Sequence, residues 1–205
     1  MVSVASVKST TELVSEAMSR GAIQIHEELN GLVNLLRTVK LRNIMEIGSE
    51  MGGTFWLWCQ LTALGGIKIS LDKPDSDSGS GRFVDPDRLT KRVELFESFS
   101  PGVKVITGDS HSPMIRQRVR AMLHGRELDF LFLDGDHSYE GVKSDFEEYR
   151  EMVKRGGLIA FHDIQDSEFH RYRGCFVADF WNSLDGKKTE FLSGSTWGGI
   201  GVIEN

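Results

Sequence analysis

Cysteine is scarce in this chain of 205 residues: Cys59 and Cys175 are the two it has. They stand far apart in sequence, and Cys59 falls in a helical pattern beside Trp56 and Trp58. Two buried free thiols in a reducing compartment are expected rather than a disulfide framework. Basic charge is not in surplus either. The 24 Lys and Arg against 30 Asp and Glu leave a formal net charge of -6, without the footprint that broad nucleic-acid binding leaves. No long apolar run opens the chain, and Lys8, Glu12 and Glu16 interrupt its start. Neither a signal peptide nor a membrane span is expected, no membrane partner, and a cytoplasmic location. Internal repeats and low-complexity linkers are lacking too, so the length suits one domain with an N-terminal appendage. We expect an arm and helices over residues 1–40 and the main domain over 41–205.

What is present is an alternation of strand and helix. Apolar residues at Leu13, Ala17, Ile23, Ile25, Leu29, Val33 and Leu36 recur near helical spacing and break around Gly21, which predicts two helices. They suit a cover over an active-site mouth or a subunit contact in a homo-oligomer. Strands are predicted at 43–47, 67–71, 103–107, 130–133 and 158–161, with helices at 54–64, 113–123 and from Ser138 onward. Asp87 is a candidate cap for a helix running to Phe99. Lys154 and Arg155 read as the basic end of the helix that Ser138 starts, the charge order a helix dipole favours. Residues 73–85, rich in Ser, Gly and Asp, read as a mobile loop and candidate lid. After a helix around 175–184, strands at 188–192 and 200–204 suit an antiparallel hairpin. Short strand–helix–strand connections imply a parallel sheet covered on both faces, an α/β fold of three layers.

Chemistry collects at strand ends. The run Asp129-Phe130-Leu131-Phe132-Leu133 stops at Asp134-Gly135-Asp136-His137, and Gly157-Leu158-Ile159-Ala160-Phe161 stops at His162-Asp163. The carboxyl ends of parallel strands are where such folds bind ligands. Acids close four successive strands: Glu46, Asp72, Asp109 and Asp134. The first turn, from Gly48 to Gly52-Gly53, lacks the third glycine of a dinucleotide site, where Glu50 stands. It also lacks the lysine of a P-loop, where Thr54 stands. Its glycines let a backbone approach a ligand closely, while Glu46 and Glu50 favour a cationic or zwitterionic ligand over a pyrophosphate. Asp72 stands where these folds grip ribose hydroxyls, and Asp109 is placed to meet an adenine amino group.

Together these segments, with FLDGDHSYEGV at 132–142 and GGLIAFHDI at 156–164, resemble the class I S-adenosylmethionine-dependent methyltransferases. The likeness is to the subgroup of cephalosporin-hydroxylase-like proteins and metal-dependent sugar O-methyltransferases, over about residues 40–205. It implies a Rossmann-like sheet of seven strands with one antiparallel strand near an edge. It implies S-adenosyl-L-methionine as cofactor, with Glu46, Gly48 and Gly52 around its methionine part. Asp72 would lie on the ribose, Asp109 and Ser110 by the adenine, and Asp134 beside the cofactor. It further implies a divalent cation, magnesium or a transition metal, on Asp134, His162 and Asp163. His162 departs from the acid common in relatives, and stands either as a ligand or as a hydrogen-bonding neighbour. Asp136 or His137 would accept a proton from a hydroxyl of a small acceptor such as a sugar or natural-product intermediate. A non-methylating enzyme on the same fold, or a protein that only binds the cofactor, are the alternatives.

Overall fold

The computed structural model describes residues 8–73 and 86–205, with the side chains of 86–89 excepted. Helices α1 (Thr10–Ser19) and α2 (His26–Leu36) precede β1 (Ile44–Ile47), α3 (Gly53–Leu61), β2 (Lys68–Asp72), α4 (Pro86–Glu97) and β3 (Val103–Thr107). Then come α5 (Pro113–Leu123), β4 (Leu128–Leu133), α6 (Tyr139–Tyr149), a 3-10 turn (Arg150–Met152) and β5 (Val153–His162). The short helices α7 (Glu168–Tyr172) and α8 (Val177–Ser183) and the strands β6 (Lys188–Phe191) and β7 (Ile200–Glu204) complete the chain.

The seven strands lie in the order β3-β2-β1-β4-β5-β7-β6. All pairings are parallel except those of β7, which runs antiparallel to both β5 and β6. The α/β architecture is thus as the strand–helix pattern implied, and the seven strands with a single reversed one are as the family resemblance implied. Because chain order reverses between β1 and β4, a crevice opens at their carboxyl ends.

Alternation along the strands builds two cores. Met45, Ile47, Leu131, Leu133, Ile159 and Phe161 pack toward α5, α6 and α8. Ile44, Phe130, Phe132 and Ala160 pack toward α1, α2 and α3. Successive side chains of a strand point to opposite faces, so an unbroken apolar run is what a strand covered on both sides requires. Trp58, fully buried, meets Phe130 edge-on at 5.3 Å and Phe132 at 5.2 Å. Each such aromatic pair adds about 0.5–1.5 kcal/mol beyond area burial. Trp56 and Trp58 therefore belong to packing, as their helical position implied, and both cysteines are free and buried.

Three expectations are revised. Lys154 and Arg155 do not end a helix but begin β5, because Lys154 pairs with Asp129 on neighbouring β4 while Val153 stands opposite Leu128. Asp87 falls inside the described span of α4. The region after Ile164 holds a short helix, α7, where none was expected. Residues 74–85 of the candidate lid, and 1–7 of the arm, lie outside the described residues.

Candidate active site

β4 delivers Asp134 to the crevice, and its approach to β1 is very close. The Asp134 N–H donates to Ile47 O at 2.9 Å, and a Cβ added to Gly48 would lie 2.0 Å from Asp134 O. Gly48 also has φ +88°, so both space and conformation demand glycine there. Two residues on, Asp136 turns away toward α6. Its Oδ1 accepts from the Ser138 N–H at 2.9 Å, and Ser138 in turn caps α6 by accepting from the Gly141 N–H at 3.1 Å. Burial works against the charge on Asp136, but Ser138 and then His111 and His137 outweigh it and hold the carboxyl below its usual range.

β5 ends alongside. His162 is 5% exposed, and its Nδ1 lies 3.1 Å from Asp134 Oδ1 and 3.3 Å from Asp163 Oδ1. Asp163 takes φ +61°, a left-handed conformation uncommon for a residue with a Cβ. There it becomes a hub for imidazoles: His137 Nε2 lies 3.2 Å from its Oδ2 and His170 Nε2 3.2 Å from its Oδ1. His137 Nε2 is also 3.4 Å from Asp134 Oδ1. Burial disfavours the charged form of His137, yet Asp134 and Asp163 outweigh it and raise its pKa to about 10. The same contest, burial against the two acids, raises His162. For Asp163 burial is outweighed by His137 and His170, and its carboxyl is driven far below the usual range.

The donor set here suits a cation. Asp134, His162 and Asp163 each offer a ligand atom, all within 4.8 Å of one another. A mixture of carboxylate oxygens and imidazole nitrogen fits manganese, iron, cobalt or zinc better than the all-oxygen preference of magnesium.

On the β2 and β3 side the acids meet other partners. Asp72 Oδ2 accepts from the Glu50 N–H at 2.8 Å and from the Arg92 guanidinium of α4. Asp109 Oδ1 accepts from the His111 N–H at 3.0 Å, and its side chain is 48% exposed. Ser110 O accepts from the Tyr149 hydroxyl at 2.9 Å. Gly52, at φ +83°, faces the Phe96 ring, where a Cβ would come to 2.1 Å. Glu46 lies under the first turn rather than on the crevice surface, with 0% exposure and Thr54 donating to its Oε1. Burial raises its pKa well above the normal carboxylate value.

The N-terminal helices take part as well. Gln24, in the link between α1 and α2, donates from Nε2 to Asp134 Oδ2 at 2.9 Å. Glu28 of α2 accepts from the Ser193 N–H and from the Gly199 N–H. It thus fixes the β6–β7 turn, whose Trp197 meets His162 edge-on at 6.3 Å.

Residues 45–164 match the family model of a methyltransferase domain. The chain belongs to this family. An uncharacterized protein of Acanthamoeba polyphaga mimivirus is 31% identical over 143 residues, or 69% of this chain and 61% of that relative. This chain therefore spans less than two thirds of that relative's length. Among solved structures, an O-methyltransferase from Bacillus cereus in complex with SAH has a TM-score of 0.59 at 19% identity, covering 99% of this chain and 94% of that one. The MycE methyltransferase of the mycinamycin pathway, in complex with Mg, SAH and mycinamycin VI, has 0.56 at 13% identity, covering 96% and 54%.

Within the methyltransferase domain, the structure brings Asp134, His137, His162 and Asp163 together, and leaves Asp136 on the α6 side. Asp72 and Asp109 stand across β1 from them. Gln24, Glu28 and Arg92 were not singled out, and Cys175 was read only as a buried thiol. His170, Arg171 and Arg173 are basic residues close together in the sequence, yet the three part company. His170 is buried against Asp163, Arg171 pairs with Asp166 and Asp179, and Arg173 lies over the Phe169 ring. Nearby, Cys175 joins Asp163 and His170 in a second group of ligand-type atoms within 4.8 Å. Among the described residues no helix is long and apolar enough to cross a membrane.

Proposed function

We propose that this protein transfers a methyl group from S-adenosylmethionine to a hydroxyl oxygen of a small molecule. The observation that carries this reading is the pairing of Asp134 and Asp163 with His137 and His162 beside the β1/β4 crevice of a methyltransferase-family domain. When bound, S-adenosylmethionine supplies an electrophilic methyl carbon, whose bond to sulfur breaks as the acceptor oxygen attacks. Asp72 and Asp109 suit the nucleoside, with carboxylate acceptors for ribose and adenine donors.

Asp134, His162 and Asp163 would hold a divalent cation, which would orient the acceptor hydroxyl and lower its pKa. The likeness to an enzyme crystallised with Mg and SAH supports a cation here, while the imidazole favours a transition ion. His137 is the group we assign to take the hydroxyl proton. Its Nε2 faces the Asp134 and Asp163 oxygens, whereas Asp136 is held by the Ser138 N–H. In the free protein His137 keeps its proton at neutral pH because those two acids outweigh its burial. Anything that engages their oxygens removes the anions that hold that proton and frees the imidazole as a base.

The decisive measurements are calorimetry with S-adenosylmethionine and its demethylated product, then a screen of hydroxylated acceptors with a labelled methyl donor. Binding followed by labelled acceptor is expected. Folded protein that gives no heat with either ligand sinks the proposal. Undiminished transfer after exhaustive chelation removes the cation from it.

A further inference from the structure

The α1–α2 link lies outside the stretch that matches the family model, yet it enters the site. It is anchored there by backbone packing. The Ala22 N–H donates to Ala17 O at 3.0 Å, and a Cβ on Gly53 would come to 2.2 Å from Ala22 N and 2.5 Å from Ala17 O. A Cβ on Gly21 would come to 2.8 Å from the Met51 Cβ. The link is therefore fastened to the first turn, and the side chain of Gln24 spans from that anchor to the end of β4.

Gln24 is 3% exposed, and its two amide atoms have different fates. An ionised carboxylate only accepts, so the contact with Asp134 Oδ2 at 2.9 Å assigns the amide nitrogen to that side. The other atom, Oε1, is buried and has no hydrogen-bond partner among the described residues. A buried acceptor without a donor costs free energy, which a ligand bringing an N–H recovers. S-adenosylmethionine has three groups of donors: ribose hydroxyls, an adenine amino group and an ammonium. The first two belong with Asp72 and Asp109, across β1. The ammonium is the donor left for the β4 side, and Asp134 beside it supplies a matching charge.

Resting on the function proposed above, we infer that Gln24 is a positioning residue. Its Oε1 accepts from the ammonium of S-adenosylmethionine while its Nε2 holds Asp134 Oδ2, leaving Oδ1 turned toward His162 and His137. The N-terminal helices then complete the cofactor site instead of merely covering it.

Two ligands read this directly: S-adenosylhomocysteine, which carries the ammonium, and 5′-methylthioadenosine, which has the nucleoside thioether without the amino-acid end. Calorimetry on Gln24→Met is expected to show S-adenosylhomocysteine weakened at least about tenfold, since hydrogen bonds to charged groups are the stronger class. Methylthioadenosine should stay within about twofold. Gln24→Glu, which keeps oxygen acceptors, should retain the preference for the ammonium-bearing ligand. If Gln24→Met does not fold, Gln24→Asn draws the acceptor back by one methylene and reads the same ratio. Equal losses for both ligands, or no loss, overturn the assignment of Gln24 alone. Wild-type protein that binds neither ligand overturns the function proposed above and this inference with it.

Discussion

Asp72 and Asp109 on the β2/β3 side of the crevice, and Asp134 and Asp163 on the β4/β5 side, are acids in equivalent strand-end positions with different neighbours. Asp72 is held by a guanidinium and a backbone N–H, and Asp109 by a backbone N–H with Lys73 at 3.8 Å. A guanidinium keeps its charge at any pH a protein meets. Asp134 and Asp163, with side chains 15% and 13% exposed, face His137, His162 and His170, whose charge can change. One end thus sets its carboxylates against partners of fixed charge. The other sets them against imidazoles, whose charge depends on pH. On the function proposed above, the difference separates holding a nucleoside from preparing a nucleophile, although both ends use the same residue type at the same place in the fold.

The comparison breaks most visibly at Asp163. Asp163→Asn leaves three imidazoles without their shared anion and withdraws one ligand of the proposed cation. Methyl transfer is expected to fall at least about a thousandfold, the scale of losing both acid–base and metal assistance. Affinity for S-adenosylhomocysteine should change less than about threefold, because a group worth that little to ground-state binding leaves dissociation nearly unaltered. Parallel collapse of affinity and turnover would show that the two ends are not separable. Asp72→Asn makes the opposite cut. It should weaken S-adenosylhomocysteine about tenfold, the loss of one charge-assisted hydrogen bond, while turnover at saturating cofactor holds. A turnover defect that saturation does not repair argues against a binding role for Asp72.

How much of this was legible beforehand follows the same division. β3 and α5 were read at their observed ends, because Pro101-Gly102 and Pro113 punctuate them in the sequence. Ser138 was read as a cap because the donor it serves, the Gly141 N–H, is three residues away. The end of α6 was misread because a basic pair after a helical pattern suits a helix terminus and a strand paired with Asp129 equally well. Asp134, His137, His162 and Asp163 were visible because each stands at a strand's carboxyl end or within four residues of it. Gln24 and Glu28 had no such marker. Their partners stand 110 residues away at Asp134 and 165 away at Ser193, and such contacts leave no local pattern. Arg92 was hidden in an amphipathic helix where a basic residue is ordinary. Whether Asp136 or His137 faces the acids was likewise beyond reach, since a one-residue step around a turn decides it.

The smallest effect sharpens the comparison by testing an imidazole that sits on the β3 side. His111 Nε2 lies 3.3 Å from the buried Asp145 Oδ1 and 3.2 Å from Gly141 O. The pairing with Asp145 outweighs burial and lifts the His111 pKa from 6.5 to about 9. A folded-state pKa above the unfolded one means that protonation favours the fold. The contribution is complete below about pH 6.5 and disappears as pH rises through about 9. With 33% of the side chain exposed, solvent screening keeps it modest, under about 1 kcal/mol. His111→Gln should therefore be less stable than wild type in urea at pH 6, and the gap should close by pH 9.5. A gap that stays constant or widens over that range rules out the Asp145 pairing as its cause. Closure at the expected pH would show that a histidine on this side of the crevice ties α6 to the β3 loop through its charge, a structural use of an imidazole distinct from the one proposed for His137.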